Sequence, residues 1–208
     1  MIVIDANIGA GKTTLIRSLN KWERISSSIP IVEEDVAEWG PYLEEFYKDM
    51  HKNALLFQMK VLEHHLSTKP NDVNTLQIHE RSPLSCIEIF GKCLEQDGHL
   101  GKLDMELMRN YNKIFGWTPK YIIYIRTPPD VCYMRIQRRN RQGENTIPLE
   151  YLVQLHALYE DLYINQASAH GWTVYIVNGN QCVKEVENDV IRILDLIRIG
   201  HYVQGQKK

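Results

Sequence analysis

The segment Asp5-Ala6-Asn7-Ile8-Gly9-Ala10-Gly11-Lys12-Thr13-Thr14 constrains this chain more than any other. It lies between an apolar strand pattern and an amphipathic helical pattern, the setting of a phosphate-binding P-loop. Backbone N–H groups of the turn and of the helix start (Asn7, Ile8, Gly9, Ala10, Gly11, Thr14) face a polyphosphate there, and Lys12 adds a mobile positive charge. The Thr13 hydroxyl is offered to Mg²⁺. Ala6 stands where the pattern GxxxxGK[ST] has its first Gly, so the start of the turn must adopt a conformation open to an L-residue. A chain with this motif in this setting binds a nucleoside triphosphate.

Other classes fall away on motif and composition. A regulatory GTPase needs an Asn-Lys-x-Asp base reader and an Asp-x-x-Gly switch; Asn20-Lys21-Trp22-Glu23 lies too early, inside the first helix, and no Asp has Gly three positions later. The 24 Lys+Arg against 26 Asp+Glu give a net charge of −2, which argues against a protein that coats nucleic acid. No apolar run approaches the ~18 residues of a membrane span. With 208 residues the expectation is one domain over 1–200, with a lid near 135–147 and a polar tail at 201–208. The strand pattern from Met1 leaves no room for a leader, so a cytoplasmic setting is expected. Cys86, Cys93, Cys132 and Cys182 form no metal-like pair and are expected to be reduced thiols, Cys132 and Cys182 as packing residues.

Short apolar runs alternate with longer helical patterns, the signature of βα units around a parallel sheet. Strands are predicted at Met1–Asp5, Ile29–Glu33, Thr75–His79, Lys120–Arg126 and Trp172–Val177. Helices are predicted at Lys12–Ile25, Asn53–Ser67, Pro83–Glu95, Leu103–Phe115, Pro128–Arg139, Pro148–Ala169 and Val183–Ile199, with a short one at Pro41–Tyr47.

Three further groups carry chemistry. Glu33, Glu34, Asp35 and Glu38 cluster at the end of the second strand, where α/β sheets hold ligands, and a carboxylate there can take a proton from an attacking hydroxyl. His79-Glu80-Arg81-Ser82 ends the third strand; Glu80 suits Mg²⁺, and Arg81 can orient an acceptor or balance Glu34. Arg135, Arg138, Arg139 and Arg141 crowd one helix end, a charge density that a polyanion relieves and that a phosphoryl-transfer lid uses. The competing readings are a solvated acidic turn, a capped surface ion pair and a basic or RNA-binding face.

Taken together these segments resemble the deoxynucleoside kinase family from Ile2 to about Ile197. Phe46-Tyr47-Lys48-Asp49, Phe57-Gln58, Glu80-Arg81-Ser82 and Ile147-Pro148-Leu149-Glu150-Tyr151-Leu152 occur in family order. The resemblance implies an α/β P-loop kinase fold, a five-stranded parallel sheet flanked by helices with an Arg-rich lid. It also implies ATP and Mg²⁺ as cofactors, a deoxynucleoside acceptor and a homodimer formed through a helical face. It makes Glu34 the base for the 5′-hydroxyl with Arg81 beside it, and Lys12 the third catalytic group. Gln58 would pair with the nucleobase and Phe90 stack on it, with Trp39 and Phe57 as walls. Tyr47 and Glu144 would hold the 3′-hydroxyl, Arg135, Arg139 and Arg141 would cover the phosphates, and Asn178-Gly179-Asn180 would lie by the donor base. The family's cytosine-preferring members carry an Arg and an Asp at the positions of His65 and Cys86. Val61 and the small Cys86 match its thymidine-tolerant members, so thymidine and other pyrimidine deoxynucleosides are the expected acceptors. A nucleoside monophosphate kinase or a purine-preferring deoxynucleoside kinase is the alternative.

Overall fold

The structure is a computed structural model that describes residues 1–70, 75–139 and 147–205. Arg141, Glu144 and the rest of the stretch 140–146 lie outside the described residues.

Strand β1 (Ile2–Ala6) is buried at every position, as a strand covered on both faces must be. It is the centre of a five-stranded sheet ordered β2-β3-β1-β4-β5, in which all pairs run parallel. Its neighbours are β3 (Ile78–Glu80), with Ile4 opposite Glu80, and β4 (Tyr121–Arg126), with Ala6 opposite Ile125. Strands β2 (Ile31–Val32) and β5 (Thr173–Asn178) form the edges. This register brings the ends of β1, β2 and β3 to one edge, next to the P-loop.

The helices are α1 (Lys12–Lys21), α2 (Glu23–Ser26), α3 (Val36–Lys48), α4 (Met50–Ser67), α5 (Pro83–Ser85), α6 (Lys92–Gln96), α7 (Lys102–Phe115), α8 (Pro129–Arg139), α9 (Leu149–Glu160) and α10 (Val183–Gly205). Wider π-helical turns follow α5 at Cys86–Gly91 and α9 at Asp161–Asn165. Side chains of successive strand residues go to opposite faces. Ile2, Ile4, Ile123 and Ile125 pack with Leu15, Leu19, Val190 and Leu194 of α1 and α10, whereas Ile122 and Tyr124 pack with Leu155 and Tyr159 of α9. A third cluster, with Trp39, Phe46, Leu62, Met105 and Met108, joins α3, α4 and α7.

Several elements depart from the sequence pattern for identifiable reasons. The second strand is only Ile31–Val32, because the Glu34 N–H donates to a Glu80 carboxylate oxygen (3.1 Å) and leaves the ladder. The third strand is shifted so that it ends on Glu80. The short helix expected from Pro41 is a longer one, capped by Asp35, whose side chain accepts from the Glu38 N–H at 3.2 Å. Its apolar stripe Val36, Trp39, Leu43 and Phe46 carries the helix across Pro41. Helix α1 ends at Trp22 instead of continuing to Ile25, and α10 runs past Ile199 to Gly205. Cys132 is buried as expected, but Cys182 is exposed instead of packed in the core.

Candidate active site

The P-loop needs left-handed backbone at two residues, Gly9 (φ 78°) and Gly11 (φ 102°), where only glycine sits without strain. At Gly9 the loop also presses on α8: a Cβ there would stand 2.6 Å from the Cys132 carbonyl oxygen. Ala6 remains in β1 with no left-handed backbone. The Asn7 side chain is buried and hydrogen-bonded within the protein. Its amide donates to the Leu152 carbonyl (2.8 Å) and its oxygen accepts the Ile8 N–H (2.8 Å), so Asn7 braces the loop against α9.

Lys12, the first residue of α1, is buried and hydrogen-bonded to Glu80, with Glu34 3.2 Å away. Thr13 donates to the same Glu80 at 3.2 Å. From the far side, Arg81 Nη1 donates to Glu34 at 2.6 Å. Of the four clustered acids, only Glu34 enters this ring. Glu33 accepts from Asn20 (2.5 Å), Asp35 caps α3, and Glu38 pairs with Lys60 (2.6 Å). Burial alone would raise the Glu34 carboxyl, but Arg81, Lys12 and His65 together hold it at about 2, so it is a carboxylate. Burial opposes the Arg81 charge, and Glu34, Tyr159 and Asp5 more than restore it.

A cavity of about 790 Å³ opens from the P-loop past Glu34 into the helices. Trp39, Tyr47, Phe57, Gln58, Val61, Arg81, Cys86, Phe90, Arg135 and Arg139 all line it. Gln58, Val61 and His65 share one face of α4, and the π-helical turn turns Cys86 and Phe90 toward them. Cys86 Sγ donates to Gln58 Oε1 at 3.3 Å, which leaves the Gln58 amide hydrogens for a ligand. The Arg81 guanidinium lies over the Phe90 ring, 4.8 Å from its centre. The buried His65 ring stands edge-on to Trp39, with Nε2 3.7 Å from Glu34 and without a hydrogen-bond partner. Arg135 donates to the Ala10 carbonyl at 3.0 Å, tying α8 to the P-loop.

Sequence reasoning missed part of the wall. Val36, Leu43 and Phe46 line the cavity on the α3 stripe, whose periodicity was the available signal, and Phe46 stacks on Phe57 (5.1 Å). Tyr151, inside the family-like segment Ile147–Leu152, also lines it, as do Met50 and Gln181, which carry no local signal. Thr13 and Glu80 suit Mg²⁺, which takes one or two protein oxygens plus substrate phosphates and water. Among the described residues no group of three or more His, Cys, Asp or Glu is placed to hold a metal ion.

A P-loop facing an apolar, glutamine-bearing pocket across a buried carboxylate defines a nucleotide-dependent phosphotransferase for a small acceptor. Residues 2–199 match the deoxynucleoside kinase family, and the chain belongs to it. Protein 029R of Invertebrate iridescent virus 3 is 34% identical over 93% of this chain and 95% of its own length. The thymidine kinase of Ictalurid herpesvirus 1 is 30% identical over 92% of this chain and 84% of its own. Among solved structures, the deoxyadenosine kinase of M. mycoides with dCMP and a flexible dCDP bound superposes with a TM-score of 0.79, at 26% identity over 93% of this chain and 98% of that one.

The buried histidines set an acid limit. Burial holds His65 neutral to about 3 and His79 to about 4, whereas both titrate near 6.5 in the unfolded chain. The unfolded state therefore takes up more protons as pH falls below about 6.5, and stability falls with it. Between pH 7 and 5, His65 alone should remove about 2 kcal/mol. Urea unfolding at the two pH values checks this: the wild type should lose stability, and His65→Gln should lose less. Equal slopes for the two proteins would contradict it.

Proposed function

We propose that this chain transfers the γ-phosphoryl group of ATP to the 5′-hydroxyl of a deoxynucleoside, with thymidine and other pyrimidine deoxynucleosides as preferred acceptors. The observation that carries this is the position of Glu34. It sits at the junction of the P-loop and the apolar pocket, the one clustered acid that both Lys12 and Arg81 reach. On this reading Glu34 accepts the hydroxyl proton as the oxygen attacks, and Arg81 orients both. Lys12 exchanges its carboxylate partners for donor phosphates. Thr13 and Glu80 would hold Mg²⁺, which would offset charge on the transferring group. Arg135 and Arg139, with Arg141 beyond the described residues, would serve as the lid, and Tyr47 and Glu144 would hold the 3′-hydroxyl. The whole apparatus would be carried on one domain over about 1–200, acting in a cytoplasm.

A nucleoside monophosphate as acceptor would need cations to grip its own phosphate. No Lys or Arg among the described residues of α3 or α4 lines the cavity, which disfavours it. Replacing Glu34 by Gln should leave nucleotide binding nearly intact and lower turnover by about 10²–10⁴-fold. Asp35→Ala should cost only about 1 kcal/mol of stability at unchanged turnover, since Asp35 caps a helix. Wild-type turnover in Glu34→Gln would remove Glu34 from the role.

The case for thymidine rests on the corner formed by residues 65 and 86. Burial keeps His65 neutral and pushes the Cys86 thiol up, so no charged pair occupies the space beside the base. The herpesvirus relative is named for thymidine, whereas the solved neighbour is named for deoxyadenosine, so a purine acceptor is the second reading. A phosphorylation panel of the four natural deoxynucleosides with Mg-ATP decides between them. Thymidine should be a good substrate; a kcat/KM more than about 100-fold below deoxycytidine or a purine would sink the preference.

A homodimer has a candidate face. Leu103, Leu107, Tyr111 and Ile114 form an exposed stripe on α7, and no residue of α7 lines the cavity. A second copy packing the same stripe about a twofold axis would cover it. Light scattering should give twice the 24.3 kDa chain mass for the wild type and the single mass for Ile114→Asp. A monomeric wild type would exclude the dimer.

A further inference from the structure

Asp5 is completely buried on β1, does not line the cavity, and has no part in the transfer proposed above. Its surroundings are nonetheless built for a carboxylate. Oδ1 accepts the Ala6 N–H (2.8 Å) and the Tyr159 hydroxyl (2.9 Å). Oδ2 accepts the Tyr163 hydroxyl (2.6 Å) and the Ser85 hydroxyl. The nearest cation is Arg81, with Nε 3.5 Å from Oδ1, an ion pair without a directed hydrogen bond. A buried carboxylate is costly unless compensated in this way, and an isosteric amide would satisfy fewer of these donors.

Arg81 is where such compensation is needed. Among the described residues it is the only non-glycine with positive φ, at 62°. That conformation costs about 1–2 kcal/mol for an L-residue. It also breaks the strand's alternation just after Glu80, so that two successive side chains reach the same ring of charges: Glu80 meets Lys12, and Arg81 meets Glu34. The Arg81 guanidinium is then held on several sides, by Asp5 at Nε, by Glu34 at Nη1, by the Ala6 carbonyl at Nη2 (3.4 Å), and with its face on Phe90. The hydroxyl side chains that hold Asp5 do not line the cavity. Ser85 is on α5, Tyr159 on α9 and Tyr163 on the π-helical turn after it.

We propose that Asp5 is a positioning residue for phosphoryl transfer: its carboxylate, locked by Tyr159, Tyr163 and Ser85, fixes the Arg81 guanidinium so that it presents Nη1 to Glu34 and its face to Phe90. The inference rests on the role given to Arg81 above. Arg81 touches the reacting groups and Asp5 acts only through it, so loss of Asp5 misplaces the guanidinium without opening the acceptor pocket.

The test measures kcat and KM for the deoxynucleoside, with thermal melting as a fold control, in Asp5→Asn, Tyr163→Phe, Arg81→Lys and the Asp5→Asn/Arg81→Lys double variant. Asp5→Asn should lower kcat by about 10–100-fold, the scale of a misplaced catalytic group, with KM changed by less than about 3-fold. Tyr163→Phe, which keeps the buried charge, should lower kcat in the same direction by less, and it reads the effect if Asp5→Asn does not fold. With Lys at 81, adding Asp5→Asn should cost less than about 2-fold more, because the two act in series. An Asp5→Asn effect that multiplies undiminished on Arg81→Lys, or a lower melting temperature at unchanged kcat, marks a merely structural network and overturns the inference. If Arg81→Lys is crippled and Asp5→Asn and Tyr163→Phe are not, the inference alone falls. If Arg81→Lys turns over at the wild-type rate, the role of Arg81 falls and the inference falls with it.

Discussion

Everything at the working edge of this sheet depends on a set of buried charges that must compensate one another. Lys12 and Arg81 are the cations; Glu34, Glu80 and Asp5 are the carboxylates. Removing one member of such a set strands its partner out of water, which costs about 3–5 kcal/mol, far more than any surface pair contributes. The five members come from four places in the fold: Asp5 from β1, Lys12 from α1, Glu34 from the turn after β2, and Glu80 and Arg81 from the end of β3. The charges can be satisfied only if three strand ends and a helix start meet. The parallel order with β1 between β3 and β4 is the arrangement that brings them together.

The same set ties the two halves of the proposed reaction to each other. Lys12 now bonds to Glu80 and lies beside Glu34, so it faces a would-be metal ligand and a would-be base at once. A donor phosphate that draws Lys12 away takes a cation from Glu34, whose carboxylate is held far below its ordinary range partly by that ammonium. On the proposed reaction, basicity at Glu34 would then rise with the donor in place, when a proton acceptor is useful. Arg81 has contacts outside this exchange: Asp5 Oδ1 lies 3.5 Å from its Nε, and the Ala6 carbonyl accepts from Nη2 at 3.4 Å.

Much of this was legible in the sequence, and the limits have physical causes. The P-loop, β1 and β5 announce themselves by apolar runs near glycine, β4 by an apolar run between prolines, and Gln58, Val61 and His65 declare one helix face by spacing. The acidic cluster was visible too, but only the family resemblance singled out Glu34; the local pattern did not say which acid joins the ring of charges. That depends on what each acid meets: Asn20 and Lys60, remote in the chain, take Glu33 and Glu38, and the start of α3 takes Asp35. Pro41 concealed most of α3, since a proline more often begins a helix than lies within one. Asp5 stood in plain view as the last polar residue of a strand, yet its partners Ser85, Tyr159 and Tyr163 are assembled only by the fold.

Ala6 shows how a motif can be kept in substance while a letter changes. The β1–β4 ladder continues through Ala6, opposite Ile125, so position 6 is still extended strand, a backbone that any L-residue adopts. Its carbonyl accepts from Arg81 Nη2 at 3.4 Å and lies 2.8 Å from the Tyr159 hydroxyl oxygen, whose one hydrogen is shared with Asp5 Oδ1. Nothing there calls for glycine. The conformational demand falls at Gly9 and Gly11, where φ is positive, and at Gly9 also from the approach of α8. A P-loop is thus defined by where the chain must turn left-handed to aim its N–H groups, and at those positions this sequence keeps its glycines.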